Sequence, residues 1–259
     1  LYLSISIATN IGILGFFKYY NFFVESFANL LGYESTPFTL NIILPVGISF
    51  YTFQTLSYTI DIYNNKFRPA KSLLDFSNFV AFFPQLVAGP IERARYLLPQ
   101  IEDCKGANKK QIVSGFILLF FGYVKKVLIS DNIAPIIDTY FKNFTELDSI
   151  YLLSALLLFS IQIYFDFSGY SDIARGLAKL IGIELMINFS QPYFSISPSE
   201  FWKRWHISLS TWLRDYIYIP MGGNRKSFIR TLLNLMITML LGGLWHGASW
   251  NFILWGALH

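Results

Sequence analysis

Residues 231–255 read TLLNLMITMLLGGLWHGASWNFILW, a stretch with no Asp, Glu, Lys or Arg. About 20 apolar residues suffice to cross a hydrocarbon core of ~30 Å, so the stretch predicts a transmembrane helix. Arg225, Lys226 and Arg230 stand just before it and mark its cytoplasmic end by the positive-inside rule. Four more apolar runs appear upstream. Leu1 to Phe17 is ended by Lys18, and Asn41 to Ile60 carries Pro45 and Gly47 as predicted kinks. Gln111 to Ile129 is flanked by Lys109, Lys110, Lys125 and Lys126. Ile150 to Phe165 turns amphipathic from Asp166 onward.

Composition agrees with this pattern. Of 259 residues, 54% are hydrophobic and 14% charged, where soluble domains carry about a quarter charged. Mean hydropathy is +0.44. Such a chain lacks the polar surface to stay in water, and its 19% aromatic content suits lipid interfaces and close helix packing. The net charge of +4 is small and clustered, which reports membrane sidedness and argues against nucleic acid as a partner. The reading is an all-α polytopic membrane protein with one domain over residues 1–259. Both Leu1 and His259 lie within apolar runs, so the reading expects a fragment lacking terminal helices.

Two stretches depart from simple spans. Phe76 to Ala88 is too short to cross upright and contains Pro84. Lys66, Arg68 and Lys71 precede it, and Arg93, Arg95, Lys105, Lys109 and Lys110 follow, so both its ends belong on the cytoplasmic side. Either the segment dips in and returns, which requires protein cover or a water-lined cavity, or it lies flat in the interface. Glu200 to Tyr218, read as one helix, puts Trp202, Trp205, Leu209, Trp212, Leu213 and Tyr216 on one face. Lys203, Ser210 and Arg214 gather beside them, His206 falls at the seam, and Ser197 or Ser199 caps the start.

The chain has three histidines, His206, His246 and His259. His246 lies within the 231–255 stretch, in Gly242-Gly243-Leu244-Trp245-His246-Gly247. An ionisable group at that depth is a functional candidate by default, against the plainer alternative of an imidazole bonded to a neighbouring helix. The glycines strip bulk from around it, and Gly243 with Gly247 forms a small-xxx-small pair suited to tight helix packing. At 1.5 Å per residue His246 lies roughly 22 Å along the axis from Thr231, past the midplane. Such a base meets reactants from both sides only through a tunnel or thinned membrane.

Other chemistries fit less well. His246 and His259 would face different ways on a straight helix, and with no His-xxx-His or Glu-xx-His pair no metal site is expected. The single cysteine, Cys104, excludes an internal disulfide. No Gly-x-Ser-x-Gly elbow exists, and Asp166-Phe167-Ser168-Gly169-Tyr170-Ser171-Asp172 reads as a polar structural cluster, or as one that supports the reacting residues from behind, in which Asp172 and Arg175 can pair. What remains is proton abstraction by a neutral imidazole as a hydroxyl attacks an acyl thioester. Trp245, Asn251 and the backbone N–H groups near Gly247 are candidate donors to the oxyanion.

Three blocks resemble the membrane-bound O-acyltransferases, in the bacterial branch that contains the alginate O-acetyltransferase membrane subunit. They are Phe83-Pro84-Gln85-Leu86-Val87-Ala88-Gly89-Pro90-Ile91; residues 201–216 (FWKRWHISLSTWLRDY), continued by Tyr218-Ile219-Pro220-Met221-Gly222-Gly223-Asn224-Arg225; and residues 242–250 (GGLWHGASW), running on to His259. The resemblance implies a ring of transmembrane and re-entrant helices around a central funnel. It matches His246 to the family's invariant histidine and His206 to its second conserved one, and so implies both as catalytic residues. It implies acetyl-CoA as a cytoplasmic donor, with no cofactor held permanently. The acceptor would be an extracytoplasmic polysaccharide or a partner acyltransferase outside the membrane, and the setting a bacterial cytoplasmic membrane crossed several times. Trp205, Arg214, Asp215, Trp245 and Asn251 are the candidate tunnel residues. A transporter, or a scaffold for glycan export or modification, stands as the alternative.

Overall fold

The computed structural model describes residues 1–33, 38–86 and 89–259, and every regular element among them is helical. Three helices are long and apolar enough to cross a membrane: Lys109–Lys142, Ser149–Leu180 and Phe228–His246. Their outward faces carry large apolar side chains such as Phe116, Phe120, Leu128, Leu153, Leu156 and Leu157, all more than half exposed. An apolar surface of this extent is stable in lipid and not in water. The protein is an all-α membrane protein. Two compact units divide it, Ala70–Ser208, and Leu1–Pro69 with Leu209–His259.

The unit Ala70–Ser208 is built on Lys109–Lys142 and Ser149–Leu180. Two glycine pairs set their spacing. A Cβ on Gly122 would fall 2.8 Å from the carbonyl oxygen of Gly169, and one on Gly176 would fall 2.8 Å from that of Gly115. Small residues let the two backbones touch, the usual driving contact between helices in lipid. That approach explains a departure from the sequence reading. Lys125 and Lys126 do not flank a span ending near Ile129. They lie inside a helix that continues through a π-helical stretch, Val124–Ser130, to Lys142. Lys125 pairs with Asp172 at 2.6 Å, and Lys126 with Asp166 at 2.6 Å and Asp131 at 2.7 Å. Asp172 also pairs with Arg175 at 3.3 Å, as the spacing predicted. The 166–172 polar cluster thus stitches two helices together.

The Phe76–Ala88 segment forms the end of a short helix, Leu73–Val80, and a turn through Leu86; Val87 and Ala88 lie outside the described residues. Within it Phe79, Phe82, Pro84 and Gln85 are buried while Phe83 is 62% exposed, so protein covers part of this segment. Arg93, expected as a topological surface charge, is itself buried at 3% exposure.

In the other unit the first helix does not stop at Lys18. Tyr2–Leu14 runs on through a π-helical stretch, Gly15–Tyr19, into Tyr20–Leu30. The Asn41–Ile60 run is not a kinked helix: residues 41–47 are irregular, and the helix is Ile48–Tyr63. Gly47 adopts φ +77°, the left-handed geometry that only glycine takes at little cost, and so starts the helix instead of bending it.

Residues 231–255 do not form one span either. The helix Phe228–His246 ends at His246, and a second helix, Trp250–Leu258, begins after Ser249, whose hydroxyl accepts from the Asn251 N–H at 3.2 Å. A Cβ on Gly243 would lie 2.1 Å from the Phe252 carbonyl oxygen, and one on Gly256 would lie 2.4 Å from that of Met239. The second helix therefore runs back along the first, with a glycine at each crossing.

Candidate functional site

His246 is the last residue of its helix, at the tip of this hairpin, and it is exposed. Aromatic rings surround it. The Trp245 ring lies 5.2 Å away, edge to face, and the Trp255 ring 5.2 Å away in the same manner; Phe252 stacks at 6.2 Å. Gly247 makes room for this. Its backbone is extended, which any residue could adopt, but a Cβ there would lie 2.3 Å from the Phe252 ring. The glycine is required for space, as expected, although its neighbour is the returning helix. Because the chain folds back, the straight-helix argument that separated His246 from His259 does not apply: both imidazoles rest on Trp255, His259 at 4.5 Å. Among the described residues no cluster of three His, Cys, Asp or Glu could hold a metal ion.

Trp245 faces inward. It is 7% exposed and packs against Phe50 at 5.4 Å and Phe53 at 5.6 Å. Phe53 stacks in turn on Trp212 at 3.8 Å, and Trp212 donates its indole N–H to the Phe53 carbonyl at 3.0 Å. Asn251 is exposed in the first turn of the returning helix. Arg214 is exposed, and its Nε donates to Asp215 at 2.7 Å. Arg214 and Asp215 lie in the π-helical stretch Arg214–Tyr218, in the same unit as His246.

Lys18 and Tyr19 belong to this site although the sequence reading gave them no role in it. The Lys18 ammonium donates to the Trp245 carbonyl and, at 2.8 Å, to the Ser49 hydroxyl. Tyr19 donates to the Leu244 carbonyl at 2.7 Å. The available signal was a lysine inside an otherwise apolar run, and charged groups at such positions carry a functional presumption.

Trp205 and His206 lie in the other unit. They do not share a face with Trp212 on one helix. The helix Pro198–Arg204, capped by Ser197, one of the two serines expected there, ends at Arg204, and Ile207–Leu213 begins beyond. His206 takes φ +43°, the left-handed region that costs a non-glycine residue about 1–3 kcal/mol. Asn188 holds the break in place. Its carbonyl accepts from Ile207 N–H at 3.0 Å, and its Oδ1 accepts from Ser208 N–H at 3.2 Å. Its amide donates to Ser171 at 3.3 Å, while the Ser208 hydroxyl accepts from Ile91 N–H at 2.9 Å. The His206 ring is 1% exposed, edge-on to Phe167 at 4.6 Å. Trp205 closes the aromatic group with Phe189, Tyr193 and Phe201. No Gly or Pro announced this break.

Comparisons with known proteins bear on the same residues. The model of the membrane-bound O-acyltransferase family matches residues 64–259, which include both histidine-bearing breaks. The chain is 48% identical over its whole length to "Probable alginate O-acetylase AlgI" of Azotobacter vinelandii, covering 52% of that protein. It is 40% identical, again over its whole length, to a peptidoglycan O-acetyltransferase of Helicobacter pylori, covering 54% of it. A teichoic acid D-alanyltransferase of Bacillus subtilis is 29% identical over 85% of the chain. The chain spans about half the length of the curated relatives it matches. A glycine-lined hairpin that ends a membrane helix on a histidine thus sits inside a match across three quarters of the sequence, and the chain belongs to the membrane-bound O-acyltransferase family.

Proposed function

We propose that this chain forms part of an enzyme that transfers an acetyl group from acetyl-CoA, arriving from the cytoplasm, to a hydroxyl of an extracytoplasmic polysaccharide or to a partner acyltransferase that completes the transfer. His246 is the base. The observation that carries the reading is the placement of an exposed imidazole at the broken end of a membrane helix, with Gly247 leaving room beside it. Non-helical backbone at membrane depth is tolerated where it lines a protein or water-filled cavity, and a reaction between two compartments needs such a place.

The imidazole takes the acceptor hydroxyl proton as the oxygen attacks the thioester carbonyl. The tetrahedral intermediate collapses, the carbon–sulfur bond breaks, and the imidazolium returns its proton to the departing thiolate. Asn251 and the backbone N–H groups of the 247–249 turn are the candidate donors to the oxyanion. Arg214 and Asp215 serve the path of the substrates, and His206 stands at the second break. The names of the relatives, which specify alginate, peptidoglycan and teichoic acid, support a cell-surface polymer as acceptor. Bacterial relatives support a cytoplasmic membrane location.

The test is His246→Ala in the full-length protein in its native host. Membrane abundance is followed by immunoblot and surface-glycan acetylation by mass spectrometry. Loss of acetyl groups at unchanged abundance is expected. Retained acetylation overturns His246 as the base.

A further inference from the structure

The end of a helix leaves its last four carbonyls without intrahelical partners. Many helices recover them through a left-handed residue just past the end. Here Gly247 is extended, with φ −165° and ψ 152°, so the chain leaves His246 without that closure. At membrane depth a carbonyl left without any partner is costly. The Trp245 carbonyl is taken by Lys18, and the Leu244 carbonyl by Tyr19. The donors are consecutive residues at the end of the π-helical stretch Gly15–Tyr19, a backbone form frequent at functional sites.

Lys18 also donates to Ser49, in the first turn of Ile48–Tyr63, and its ammonium lies 5.7 Å over the Trp245 ring. One side chain therefore ties three helices together at the residue before His246. A cation is well placed there because the carbonyl end of a helix is its negative pole.

We propose that Lys18, with Tyr19, is a positioning residue for acyl transfer: a clasp on the broken end of Phe228–His246 that determines where the His246 imidazole stands. This rests on the reading of His246 as the base. Release of the clasp leaves the helix intact up to its last turn but lets that turn fray, and the imidazole moves with it. Displacements near 1 Å cost on the order of 10²-fold in rate.

The experiment uses membrane vesicles carrying the full-length protein, with radiolabelled acetyl-CoA as donor and coenzyme A release as readout. Lys18→Met keeps the aliphatic stem and removes the donors. A fall in kcat on the order of 10²-fold is expected, with KM for acetyl-CoA held within about twofold. Lys18→Arg, which keeps charge and donors, is expected to recover most of the rate. Tyr19→Phe removes one hydroxyl, leaves the fold unstrained, and is expected to lower kcat by a smaller factor. A wild-type kcat in Lys18→Met, a loss confined to KM, or an Arg variant no better than Met overturns the proposal. If Lys18→Met does not accumulate, an unchanged kcat in Tyr19→Phe overturns it. His246→Ala is assayed alongside: activity there defeats the reading of the base, whereas an inactive His246→Ala beside a fully active Lys18→Met defeats only the clasp.

Discussion

Gly242 and Gly243 are adjacent and chemically identical, yet an added methyl should act very differently at the two. On Gly243 the new Cβ would lie 2.1 Å from the Phe252 carbonyl oxygen and 3.2 Å from the Gly256 Cα. Ordinary contact begins near 3.4 Å, so the shortfall is roughly 1.3 Å, and it falls on backbone that no rotamer change can move. The returning helix must shift outward by about that distance, carrying Phe252 and Trp255, the rings that flank His246. Overpacking costs about 1–3 kcal/mol, offset by the ~1 kcal/mol that Ala gains over Gly in a helix. The net loss of stability is thus about 0–2 kcal/mol, and the variant is expected to fold. The damage is to geometry: a shift of this size should lower kcat on the order of 10²-fold. On Gly242 the Cβ meets only the Leu213 Cδ1, at 3.1 Å, the tip of a flexible side chain that yields by a few tenths of an ångström. Gly242→Ala should keep its rate and match or exceed wild-type stability. Both variants are compared by acetyl-CoA turnover per folded protein, with melting in detergent as the stability control. A wild-type rate in Gly243→Ala, or equal losses in the two variants, would refute the reasoning.

Asp172→Asn removes the shared partner of Lys125 and Arg175 between two packed helices. The site is partly exposed, so the expected loss is about 1–3 kcal/mol, below the range for a fully buried pair, and a melting temperature equal to wild type would contradict it. Glu92 lies outside the three spanning helices and is 1% exposed. Burial pushes its carboxyl from near 4.5 up to about 7, outweighing the Met186 N–H and the neighbouring Arg93. Between those values the folded protein holds a proton that the unfolded chain has released. Stability therefore falls by about 3 kcal/mol as pH rises through the window, and levels off above it. Glu92→Gln, which still accepts from Met186, should flatten that slope in a pH series of melting curves, and an unchanged slope rules out Glu92 as its source.

Much of the candidate site was legible because membrane insertion leaves few choices. A histidine among glycines in an apolar run, and the pairing of Asp172 with Arg175, follow from depth, bulk and helical spacing. The sequence could not show where helices break. The Trp205–His206 break has no Gly or Pro, and it is held by Asn188, distant in the chain. Ser49, Lys18 and Tyr19 are likewise far in sequence from the carbonyls and side chains they serve.

From sequence alone, the all-α membrane class was decided and His246 was singled out as a candidate, because hydropathy and the cost of a titratable group in an apolar run are local properties. Tertiary structure decided that residues 231–255 turn back at His246 instead of crossing in one piece. It also decided that Lys125 and Lys126 pair inside a helix, and that Lys18 closes the broken helix end. Each depends on which backbones can approach to within a glycine's width, and that is a property of packed pairs of helices, which no single segment contains.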